Sequence, residues 1–142
     1  MHRMAFFEIL PYASKGYVPR PDTAAEMVLT DPGCQIASQA ALGAIEHRRP
    51  AAVLVNGNDA VHVFQAVHQI AWTERSYKSR WDSAKTLHHS EGSLTYSGAS
   101  IPVFGFPQRS RSSHNAYVEV DQMGERIAEV VRPSHLPPSG RA

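Results

Sequence analysis

The amino-acid sequence predicts an α/β domain: a three-layer sandwich around a small, mostly parallel sheet. Three observations carry this. Short apolar runs recur at 4–10, 51–55 and 101–106, each closed by proline or by Asn-Gly. Stretches of helical hydrophobic spacing separate them. The run Ala-Ala-Val-Leu-Val at 51–55 is apolar at every position, as in a strand covered on both faces. Strands alternating with helices in this way build a layered domain with right-handed crossovers.

The elements follow in chain order. Residues 4–10 form a compact run rich in aromatics, too short for a helix, with Glu8 inside it and Pro11 at its end. Residues 11–31 read as a long loop punctuated by Pro11, Gly16, Pro19, Pro21 and Pro32-Gly33, with one helical turn across 23–29. From 34 to 48, Ile36, Ala40, Ala41, Ala44 and Ile45 fall at helical spacing. His47, Arg48 and Arg49 suit the negative end of that helix dipole, and Pro50 stops it. The strand at 51–55 leads through Asn56-Gly57 into a helix over 59–70, which Asn58 or Asp59 can cap. Residues 73–96 have few aliphatics and read as the least structured part, and 94–100 as short and turn-rich. A third strand at 101–106 ends at Pro107. A loop spans 108–115 and a last helix 118–131, with Val120, Met123, Ile127, Val130 and Val131 inward.

The chain has 142 residues, enough for one domain, taken as 1–131 with a flexible proline-rich tail at 132–142. With 42% hydrophobic residues it is too apolar for disorder, yet it holds no run long enough to cross a bilayer. No signal peptide is read at the N-terminus. Cys34 is the single cysteine, so an internal disulfide and a multi-cysteine metal site are excluded, and a reducing cytoplasm is expected. Cys34 itself reads as a small buried hydrophobe. A net charge of +1 names no partner.

Ligands in open α/β sheets bind beyond the carboxyl ends of the strands. Three segments occupy that place. The first holds Tyr12, Ser14 and Lys15, a phenol, a hydroxyl and an ammonium suited to a phosphate. The second holds Asn56, an amide able to read a ligand edge. The third runs Gln-Arg-Ser-Arg-Ser-Ser-His-Asn at 108–115, where Arg109, Ser110, Arg111, Ser113 and Asn115 suit phosphate oxygens and no carboxylate intervenes. Trp72, Tyr77 and Trp81 among Arg75, Lys78, Arg80 and Lys85 form a further pattern, that of a stacking platform for single strands. His88 and His89 are adjacent and so point to opposite sides of a regular element. No metal or cofactor is expected.

Phe-Glu-Ile-Leu-Pro-Tyr-Ala-Ser-Lys, Val-Leu-Val-Asn-Gly and Pro-Gln-Arg-Ser-Arg-Ser-Ser-His-Asn together resemble the uracil-DNA glycosylase superfamily over roughly 4–131. The resemblance implies an α/β scaffold binding DNA, a nucleobase or a nucleotide, with hydrolysis of an N-glycosidic bond as the family's chemistry. Glu8 lies one residue from the place of the family's strand asparagine, and His114 comes late in the penetrating loop. These two are the catalytic candidates. The family's water-activating loop lies upstream of the matched part, and only three residues precede the first strand here. The sheet is therefore expected to be incomplete at the N-terminus and the domain to bind without a complete catalytic centre.

Two alternatives stand beside this. One is a hydrolase or transferase acting on a small nucleotide or sugar-phosphate substrate, using Ser14, Lys15, His114 and Asp59. The other is a non-catalytic structural domain that forms a homo-oligomer through an exposed sheet edge.

Overall fold

The computed structural model describes residues 20–106 and 117–131, with backbone alone for 117–120. The expected first strand, the segment at 108–115 and the tail lie outside the described residues. The order is α1 (Pro21–Thr30), α2 (Pro32–Arg48), β1 (Val53–Asn56), α3 (Asn58–His68), β2 (Thr73–Lys78), β3 (Thr86–Tyr96), β4 (Ala99–Phe106) and α4 (Tyr117–Val131). The strands form one sheet in the order β1-β4-β3-β2.

The α/β class holds. The sheet itself is mixed. Only β1 and β4 are parallel, in register from Val53↔Val103 to Asn56↔Phe106. The β3–β4 and β2–β3 pairs are antiparallel. The difference arises at 73–96, which is two strands where an irregular segment was expected. Strand β3 buries Leu87 and His89 on one face and Leu94 on the other. The face of Leu87 continues through His89 and Glu91, so a scale of aliphatic content misses the period of two. Strands β3 and β4 join through Ser97-Gly98, both at positive φ (47° and 76°), the geometry of a tight hairpin turn.

The second correction is at 11–31. Residues 21–30 are a full helix, not one turn in a loop. Pro21 stands at its start, where a missing N–H costs nothing, and Asp22 suits the first turn. Ala24, Ala25 and Val28 are buried together with Cys34 of α2 and Val63 of α3. Helix α2 follows as predicted, two residues longer at its start. Asp31 caps it by accepting from the Cys34 amide at 3.0 Å. Strand β1 is shifted to 53–56 and lies at the end of the strand order, where Leu54 is exposed, so it is not covered on both faces as its apolar run predicts. Gly57, at φ 103°, precedes α3 as its N-cap, so neither Asn58 nor Asp59 takes that position.

Strand parity divides the sheet into two faces. One carries Val53, Val55, Val103, Gly105, Leu94 and Gly92. Val55, Val103 and Leu94 form a core with Ile70, packed under Val61 and Phe64 of α3 and Leu42 and Ile45 of α2. Two glycines let that layer approach. A Cβ on Gly105 would stand 3.0 Å from Val61, and one on Gly92 2.5 Å from Ile70. The opposite face carries Leu54, Asn56, Phe104, Phe106, His89, Glu91, Arg75 and Tyr77, and α4 lies against it through Arg126 over Tyr77. The molecule is thus three layers deep: helices, sheet, helix. Strand β4 is central, with Val103 0% and Phe104 1% exposed.

Gly92→Ala is expected to destabilise by about 1–3 kcal/mol through overpacking against Ile70. Gly43→Ala, in open space within α2, is expected to stabilise by about 0.5–1 kcal/mol. Urea unfolding of both variants against the parent checks the pair.

Candidate functional site

The α4 face of the sheet is polar where the α3 face is apolar. Its residues come from period-two placement on two strands. Arg75 and Tyr77 share one face of β2, and His89 and Glu91 share the same face of β3, with Arg75 directly opposite His89. Glu91 joins them. Its Oε1 lies 2.9 Å from His89 Nε2, and its Oε2 accepts from Arg75 Nε at 2.9 Å. Tyr77 and His89 rings meet edge-on, centroids 5.6 Å apart. His89 also lies beside Phe104 and Phe106, at 6.2 and 6.1 Å. The guanidinium of Arg126 sits 5.4 Å above the Tyr77 ring and donates to Glu129 at 3.2 Å. Arg75, Tyr77, His89 and Glu91 from the strands, with Arg126 and Glu129 from α4, line a cleft of about 330 Å³ between β2, β3 and α4. That is at the lower end of small-molecule sites.

Helix α4 is fixed over the cleft by its Gln122. The carboxamide donates to the Lys78 carbonyl at 2.9 Å and accepts from the Arg80 amide at 3.0 Å. A neighbouring strand would offer the same pair of bonds. Arg80 and Glu125 pair nearby at 2.6 Å.

The electrostatics follow from burial and from these bonds. Burial pushes the Glu91 carboxyl up, but the hydrogen bonds from His89 and Arg75 outweigh it and hold it below its ordinary value. Burial raises the Tyr77 phenol, with Arg126 opposing and Glu91 assisting. An ionised Glu91 only accepts, so the proton between it and His89 belongs to Nε2. In a neutral imidazole Nδ1 then holds a lone pair. That Nδ1 is buried without a hydrogen-bond partner, as is the Tyr77 hydroxyl. A histidine oriented by a carboxylate, itself clamped by an arginine, can accept a hydrogen bond or a proton at Nδ1.

Of the residues singled out from the sequence as site residues, only Asn56 and Asp59 are described, Asp59 lying exposed in the first turn of α3. Glu8, Tyr12, Ser14, Lys15, Arg109, Ser110, Arg111, Ser113, His114 and Asn115 lie outside the described residues. Asn56 is exposed at the end of β1, opposite Phe106, and the Gly57 amide donates to the Phe106 carbonyl at 2.9 Å. It belongs to the α4 face. Asn56, Phe106, His89 and Arg75 form one row across four strands.

The aromatic and cationic residues at 72–85 do not form one platform. Trp72 packs into the α3 side with Ile70, Tyr77 faces α4, and Trp81 is 70% exposed between β2 and β3. Cys34 is fully buried, and its thiol is raised by burial and then by Asp31. Among the described residues no group of three or more His, Cys, Asp or Glu side chains could hold a metal ion. Nor is any helix there long and apolar enough to cross a membrane. Sequence reading missed Glu91 as the partner of His89 and Arg126 as that of Tyr77. The available signal was Arg-x-Tyr and His-x-Glu, both spaced by two.

Comparison with protein-family models, with curated proteins and with solved structures finds no match to this chain.

Since the folded Glu91 titrates below its ordinary value, its stabilisation is full above about pH 4.5 and is lost as pH falls through the folded value. Glu91→Gln is therefore expected to flatten the acid limb of stability. Urea midpoints of parent and variant from about pH 6 to about pH 3 measure this.

Proposed function

We propose that this is a nucleic-acid or nucleotide-binding domain whose ligand lies along the sheet end where β1 and β4 finish. The observation that carries the reading is the pairing of those two strands. They are the parallel pair of the sheet, so their carboxyl ends lie side by side, the usual place for ligands in α/β sheets. Asn56 is exposed there, and the chain runs on from Phe106 into the stretch containing Arg109 and Arg111. A carboxamide and two guanidinium groups are suited to a base edge and to phosphates. The amino end of α3 begins two residues after Asn56 and adds backbone donors at the same end.

In this reading the Val-Leu-Val-Asn-Gly strand resembles that of the uracil-DNA glycosylase superfamily, with Asn56 toward the base and Arg109 and Arg111 toward the backbone. The proposal is one of binding. Glu8 and His114 remain the positions at which a glycosidic activity would be sought.

Fluorescence anisotropy with labelled single- and double-stranded oligonucleotides is expected to show binding at low salt. Arg109→Ala with Arg111→Ala should weaken it and lower the slope of log K against log salt by about 1.5. Asn56→Ala should weaken it with the slope unchanged. Thermal stabilisation by mononucleotides but not by oligonucleotides would favour a small nucleotide ligand instead. No binding of either class at low salt contradicts the proposal.

A further inference from the structure

The cleft between β2, β3 and α4 is separate from the end of β1. Asn56 and His89 stand two strands apart on the shared face, about 10 Å by strand spacing. The cleft has its own chemistry. Its guanidinium charges are already matched, Arg75 by Glu91 and Arg126 by Glu129. An anion entering would meet two carboxylates and no unmatched cation among the groups lining the cleft. Two polar atoms of its walls are left without a partner. His89 is 3% exposed, and Glu91 fixes the proton on its Nε2, so its Nδ1 offers a lone pair with no donor facing it. The Tyr77 hydroxyl, also buried and without a partner, can donate.

We propose that this cleft binds a small neutral cyclic amide, a ring N–H beside a carbonyl, the N–H donating to His89 Nδ1 and the carbonyl accepting from Tyr77 Oη. Lactams and the amide edge of a nucleobase share this chemistry. A buried acceptor and a buried donor on two rings 5.6 Å apart in one cleft wall discriminate sharply against molecules lacking either complement, since a mismatch leaves a buried group unpaired. Both atoms lie beneath the cleft surface. Binding therefore requires the cleft wall to open, and the half-exposed Arg126 over the Tyr77 ring is the side chain of that wall placed to move aside.

The test is a titration of the full chain with δ-valerolactam, N-methyl-δ-valerolactam, hypoxanthine, acetate and phosphate. It is followed by the imidazole ¹⁵N signals and by thermal shift. The lactam or hypoxanthine is expected to move the unprotonated Nδ1 signal of His89 while Nε2 stays protonated. The tighter of the two identifies a simple cyclic amide or a nucleobase as the source. N-methylation should weaken binding about tenfold or more, and so should Tyr77→Phe, which keeps the ring. Should His89 variants fail to fold, the N-methyl and Tyr77→Phe comparisons still decide. Equal binding of the N-methyl compound, preference for acetate or phosphate, or an unmoved His89 signal with every probe overturns the proposal. Oligonucleotide binding through Arg109 and Arg111 is read independently of all these outcomes.

Discussion

The burial of β4 on both faces is the constraint from which the rest of the architecture follows. It is hydrogen-bonded to β1 on one side and β3 on the other, so its polar backbone is satisfied in the plane of the sheet. Its side chains must then find cover above and below. Ile101, Val103 and Gly105 face the α3 layer, and Phe104 and Phe106 face α4. Val103 and Phe104, adjacent in sequence, are both sealed from water on opposite faces. Such a strand needs helices on both sides, and the three layers result. Apolar burial of this kind contributes about 25 cal/mol for each Å² removed from water.

The two faces are not equivalent, and that asymmetry locates the chemistry. The α3 face closes over aliphatic side chains, with glycines at 92 and 105 letting the next layer settle onto the sheet. The α4 face places Arg75, Tyr77, His89 and Glu91 under a helix. Buried polar groups are costly unless paired. Glu91 meets that cost for itself through two hydrogen bonds, whereas His89 Nδ1 and Tyr77 Oη do not. Buried polar groups without a partner are candidates for contact with a ligand. Gln122 shows the complementary case. Its carboxamide satisfies a carbonyl and an amide beyond the end of β2, which anchors α4 and blunts that part of the strand edge.

Much of the fold was legible in the residues. The apolar runs at 51–55 and 101–106 mark the parallel pair, and alanine-rich spacing marks α2. The α4 helix follows from the apolar spacing of Ile127, Val130 and Val131, although Val130 is exposed rather than inward. Two elements were hidden for physical reasons. Helix α1 lies among prolines, and the burial that secures it comes from Val63 of α3, distant in sequence. Strands β2 and β3 present polar side chains to α4, so the usual apolar alternation is replaced by Arg75-x-Tyr77 and His89-x-Glu91. The candidate site was legible only in part. Asn56 follows from the strand-end rule. The pairing of His89 with Glu91 and Arg75 depends on strand register, which no local pattern specifies.

Residue-resolved hydrogen exchange of the native chain tests the central place of β4 most directly. The amides of Val103, Phe104 and Gly105 are predicted to exchange only through global unfolding, while the amides of Glu74 and Ser76 on β2, at the end of the strand order, exchange far faster. Equal protection of β2 and β4, or early exchange at Val103 and Phe104, would contradict a sheet organised around β4.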